Sequence, residues 1–275
     1  MPRSCIIVLD RQGETIRFPD PSGRTRTLEA LVEACPEGAS IELAPGRYLG
    51  PFVFRKPVCL RGAGDLTRIA SAHSGPVVTV ETDGPGSVVL ESLLIEHLEG
   101  DGPGLCLFGG RLRAHNLQIQ NCRSDTGGGG IHAVSGALEL SRLRVHDVAG
   151  ERGGALYVGG NGIVSVRDSQ VNRAEARFGG AIAVEHSAAV LLEGITVGRT
   201  RATMPAGGQA IYVAGSDESF PTLQMRRVRL EDAPFGMPLV VDARWPGEVS
   251  LSECDLPRMV LGVPGVIDGG RNHWR

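Results

Sequence analysis

Cys106 and His132 lie 26 residues apart, each directly after a matching apolar residue, Leu105 and Ile131, in recurring glycine-flanked segments. If matching positions stack at the inter-strand spacing of about 4.8 Å, thiol and imidazole become neighbours, the start of a Cys–His nucleophile pair. Asp125 and Glu151 precede the same segments and could orient the imidazole or bind a substrate. The same residues admit plainer readings. Cys106 can serve as a small apolar residue, with His132 a surface histidine stacked on Tyr157. Alternatively, His132, Tyr157 and Tyr212 form a flat aromatic and polar strip suited to carbohydrate rings or a protein partner, with Arg177 and His186 along its side.

These positions depend on an internal repeat. The segments beginning Gly128-Gly129-Gly130-Ile131, Gly153-Gly154-Ala155-Leu156, Gly179-Gly180-Ala181-Ile182 and Gly207-Gly208-Gln209-Ala210-Ile211 carry aligned apolar residues. The aligned set is Leu105, Ile131, Leu156, Ile182, Ile211 and Val240, at spacings of 26, 25, 26, 29 and 29. The outward row that follows them reads Cys106, His132, Tyr157, Ala183, Tyr212 and Val241. A second apolar pattern recurs seven times, from Leu90/Leu93/Ile95 through Leu140/Leu143/Val145 to Leu251/Cys254/Leu256. Short strands separated by glycine corners at this period describe a β-solenoid, in which one coil cannot bury its apolar face until another stacks on it. Glycine suits corners with positive φ, which gives a role to the 39 glycines among 275 residues. The expectation is an all-β, single-domain right-handed parallel β-helix of about eight coils of 25–29 residues. Residues 1–37 hold an N-terminal strand and a capping helix over Thr27–Ala34, residues 38–260 the β-helix, and residues 261–275 a C-terminal cap or tail.

Stacking also predicts charge ladders, with Arg142 beside Asp168, Asp147 beside Arg173, Arg227 beside Glu253 and Arg229 beside Asp255, and with Asp232 between Arg199 and Arg258. These read as a solvated face. A net charge of −3 gives no drive toward nucleic acid, and the Arg226–Arg229 cluster is neutralised by nearby Glu231, Asp232, Glu253 and Asp255. His97, His115 and His146 are expected to face solvent, and no metal-ligand spacing connects them. Trp245 reads as packing in a corner. Six scattered cysteines without zinc spacing, no signal-peptide core and no long apolar run point to free thiols in a cytoplasmic protein without a membrane span. No cofactor is implied.

The run Leu28–Tyr48, with Ala44-Pro45-Gly46-Arg47-Tyr48, followed by Lys56-Pro57-Val58-Cys59-Leu60-Arg61-Gly62-Ala63-Gly64, resembles the N-terminal cap and first coil of pectin-lyase-like right-handed parallel β-helix proteins. The Gly-Gly-Ala-[Ile/Leu] segments are similar to repeats of polymorphic outer-membrane and autotransporter passenger proteins. The resemblance spans about residues 27–260. It implies the fold and, for function, lyases, hydrolases, epimerases, adhesins or scaffolds. The motifs that the enzyme families would bring are absent: Asn-Thr-Asp with Gly-His-Gly, clustered calcium-binding aspartates, Asp-Pro-His-Asp, and the Gln-Asp and Asp-Phe segments of pectin methylesterases. The expected function is therefore a non-catalytic scaffold presenting a lateral face to a protein partner, with a carbohydrate-active enzyme (polysaccharide lyase, glycoside hydrolase or epimerase) as the alternative and a glycan as a possible ligand.

Overall fold

The computed structural model describes residues 5–7, 15–20, 27–216, 218–231, 237–242, 247–257 and 266–274. Asp232, Arg258 and Trp245 lie outside them, as does most of the segment before Thr27. Two sheets, parallel except for the antiparallel pairing of Cys5–Ile7 with Thr15–Asp20, wind around one core. The smaller has eight strands, one per coil: Phe52–Phe54, Val78–Glu81, Leu105–Gly109, Ile131–Ala133, Leu156–Val158, Ile182–Glu185, Ile211–Ala214 and Leu239–Val241. The larger, twenty-stranded sheet folds round the other two sides. The chain is thus a right-handed parallel β-helix, the hand expected where one parallel strand crosses over to the next.

Stacking register follows the apolar repeat. In the larger sheet, Leu90, Ala114, Leu140, Val166, Leu192, Met225 and Leu251 pair in turn. A parallel column, Leu112, Leu138, Val164, Val190, Leu223 and Val249, is buried throughout. Alternation gives each strand one core face and one outer face, so a slip of one residue would reverse both. Such a slip corrects the expected alignment at the last coil. Ile211 pairs with Leu239, and Val240 pairs with Tyr212 in the outward row, leaving Val241 buried. His97 is also corrected. Alternation from the inward Ile95 turns it into the interior, where it is 5% exposed.

The double-glycine corners have a steric cause. Gly153 and Gly179 adopt φ of 59° and 60°, and a Cβ on either would lie 2.0 or 2.1 Å from the Leu156 or Ile182 carbonyl oxygen. Positive φ is not confined to glycine, however. The turn between the two limbs of the larger sheet stacks Ser92, Asn116, Arg142, Asp168, Arg227 and Glu253 at φ between 49° and 55°, with Gly194 in the same column.

The helix Leu28–Ala34 is capped by the Thr27 hydroxyl, which accepts from the Ala30 amide, and it buries Leu28, Leu31 and Val32. The chain's only lysine, Lys56, donates from Nζ to the Glu33 and Cys35 carbonyls at the helix C-terminus, 2.7 and 2.5 Å away. At the other end, Val266–Asp268 and His273–Trp274 pair onto Glu248–Ser252 and Asp255–Leu256, adding a partial turn. Among the described residues, no helix is long and apolar enough to cross a membrane.

Candidate functional site

Short strands of the smaller sheet place the outward row as expected in its central coils. Cys106, His132, Tyr157, Ala183 and Tyr212 are successive register partners. The surroundings decide what each can do. Cys106 is 1% exposed, and burial pushes its thiol up to about 12, so at neutral pH it holds its proton. Gly127 lies against the His132 ring, and burial lowers the pKa of the imidazole. The Cys–His pair therefore has the predicted adjacency but lacks the thiolate that a nucleophile needs.

The aromatic row is real but is not a flat, open strip. His132 meets Tyr157 edge-on at 4.9 Å and Phe108 at 6.4 Å. Tyr157 and Tyr212 are 9% and 7% exposed, whereas Phe108 is 50% exposed. Phe178, from the corner before Ile182, packs on Tyr212 at 5.2 Å, and the guanidinium groups of Arg152 and Arg177 each stand 5.5 Å from its ring centre.

At the centre of this group is Glu185, which the motif reading did not single out. It points outward, three residues after the aligned Ile182, yet is 3% exposed. Its carboxylate accepts from the Arg152 guanidinium and, at 3.4 Å, from the Tyr157 hydroxyl. Asp242 occupies the same row two coils on, since Glu185 pairs with Ala214 and Asp242 follows the Val213–Val241 pair. The Tyr212 hydroxyl donates to Asp242 Oδ2 at 2.8 Å. Burial first, then the Asp242 bond and the charges of Asp242 and Glu185, raise the Tyr212 pKa, so both carboxylates act on one phenol. Burial and the Glu185 charge likewise push Tyr157 up to about 12, leaving a neutral hydroxyl donor.

The remaining predicted residues flank this cluster. Arg177 donates to Glu151 Oε1 at 3.1 Å in the neighbouring corner. Asp125 is exposed beside Glu151, one residue beyond the Ser124–Gly150 register pair. His186 follows Glu185 into an exposed turn at φ 59°. Among the described residues, no group of three or more metal-ligating side chains is found.

Glu185 had one readable signal. In the central coils its row carries Phe108, Val134, Gly159 and Ala214 at the outward places, so an acid among them breaks the pattern. Asp242 escaped notice because the last coil was aligned one residue off. Open concavities of about 440 and 480 Å³ lie instead on the larger sheet, one lined by Glu91, Arg113 and His115, the other by Ile163, Leu191 and Gln224. They are troughs between stacked side chains and lack a buried ionisable group.

No family model matches the chain, and no curated protein is similar in sequence. Among solved structures, pectin methylesterase from carrot superposes with a TM-score of 0.57 at 11% identity, covering 91% of this chain and 84% of that one. A pectin methylesterase from Aspergillus niger gives a TM-score of 0.48 at 13% identity, covering 88% and 93%. At such identities the likeness is one of fold. The chain shares the right-handed parallel β-helix fold of the carrot pectin methylesterase.

Proposed function

We propose that the chain is a carbohydrate-active enzyme that lays a glycan across the outer face of the smaller sheet, with Glu185 and Asp242 as its acid–base carboxylates. The observation that carries this reading is Glu185 itself. An outward-facing carboxylate withdrawn from water costs stability unless it is paired and hydrogen-bonded. Here the partners are a guanidinium and a tyrosine from the preceding coil, with a second tyrosine–carboxylate pair beside them. Register separates the two acids by two strand spacings, roughly 9–10 Å between backbones. Carboxylates working from opposite sides of a glycosidic bond stand about 5–9.5 Å apart, a range that side chains extending from this row can reach. Tyr157 and Tyr212 would orient the carboxylates through their hydroxyls, and Arg152 would hold Glu185 in place. The fold is one that pectin methylesterases share, which agrees with a carbohydrate substrate.

The test is turnover of a broad polysaccharide and oligosaccharide panel by the wild-type chain, Glu185→Gln and Asp242→Asn. Wild-type product release is expected, with either substitution lowering kcat by roughly 10²–10⁴-fold while circular dichroism stays native. A folded wild-type chain inert across the panel, or variants as active as wild type, would sink the proposal. The second reading is a scaffold that holds a protein partner on this same lateral face. The exposed ring of Phe108 at the edge of the row favours it.

A further inference from the structure

Resting on the carbohydrate reading above, the pattern of ion pairs points to its substrate class: we infer that the face selects a neutral glycan and rejects uronate-rich, polyanionic chains. The two arginines beside the tyrosine–carboxylate cluster are already engaged by carboxylates of the protein, as is Arg55 by Glu81 at the first coils of the sheet. Arg152 pairs with Glu185, and Arg177 pairs with Glu151 at 3.1 Å. Both guanidinium groups also stand 5.5 Å from the Phe178 ring centre.

A sugar carboxylate could bind here only by displacing one of these partners. Taking Arg152 would leave Glu185, 3% exposed, without its countercharge, and breaking a buried pair costs far more than an exposed pair gains. Taking Arg177 would free Glu151 beside the exposed Asp125, placing three like charges together once the sugar acid is counted. His132 does not supply the missing cation, because burial holds its imidazole neutral near pH 7. What the face leaves accessible suits an uncharged sugar: the half-buried Asp242 carboxylate as an acceptor for ring hydroxyls, and the open Phe108 ring for stacking against C–H groups.

The experiment compares binding of the full chain to matched neutral oligosaccharides (gluco-, xylo- and galacto-series) and to oligogalacturonates, by calorimetry at low and high NaCl. The expected result is at least tenfold tighter binding of a neutral series, with a Kd insensitive to salt. Glu151→Gln, which releases Arg177, is expected to improve oligogalacturonate binding by about tenfold and leave neutral binding unchanged. Tighter, salt-sensitive binding of the uronate by the wild-type chain would overturn this inference and leave the carbohydrate reading standing. Binding of neither class would overturn both. An unchanged uronate Kd in Glu151→Gln would contradict the claim that ion pairing sets the selectivity.

Discussion

His132 and Glu185 answer burial in different ways. Glu185 brings its own countercharge, Arg152. His132 has none, so the loss of water lowers its pKa below the ordinary value of 6.5. The sign of the consequence follows. As pH falls through 6.5 the unfolded chain takes up a proton that the folded chain refuses, so this histidine's contribution is full above pH 6.5 and declines below it. His132→Gln should flatten the acid limb of stability below pH 6.5, read as urea midpoints against pH. A limb of unchanged slope would show that His132 is not its source. At this scale the sequence was legible for adjacency and not for state. The pairing of Cys106 with His132 follows from the repeat period, whereas the protonated thiol of Cys106 follows from neighbours that no repeat announces. The ladder charges behave likewise. Asp147 and Arg173 meet in two bonds of 2.6 Å, and Arg229 meets Asp255 at 3.4 Å, but Arg227 turns to Glu193 at 2.9 Å instead of Glu253. Long arginine side chains reach either neighbouring coil, so register alone does not select the partner.

Strands and corners were read with more success, because their requirements are local. The double glycines mark the corner before four of the eight strands of the smaller sheet, and at Gly153 both backbone conformation and space demand the missing side chain. Gly153→Ala should lose the roughly 1–2 kcal/mol of a left-handed alanine and more for the approach to the Leu156 carbonyl. Gly38→Ala shares the positive φ but has open space around its Cβ, so it should cost less. Equal losses of stability in urea for the two variants would show that the carbonyl contact does not matter. The second class of corner was illegible for a physical reason. Arginine, aspartate, asparagine, serine and glutamate at φ near 50° look like ordinary surface residues in sequence, and only the stacking of coil on coil holds them there. The same limit explains the slip at Leu239. The last interval is irregular in length, and the choice between Leu239 and Val240 rests on inter-strand pairing, not on hydrophobicity.

The whole molecule is a stack with a helix over one end, tied by Lys56 to the first coil, and a partial turn over the other. In such a stack each coil contacts mainly its neighbours, so a ligand lying across several coils should stabilise a contiguous patch and leave the rest untouched. Hydrogen exchange of the full chain, with and without a saturating neutral oligosaccharide mixture, measures this directly. Added protection is expected in Leu156–Val158, Ile182–Glu185 and Ile211–Ala214, the strands that carry Tyr157, Glu185 and Tyr212. Protection confined to the larger sheet, around Ile163–Arg167 and Ala189–Glu193, or none on either sheet, would contradict it.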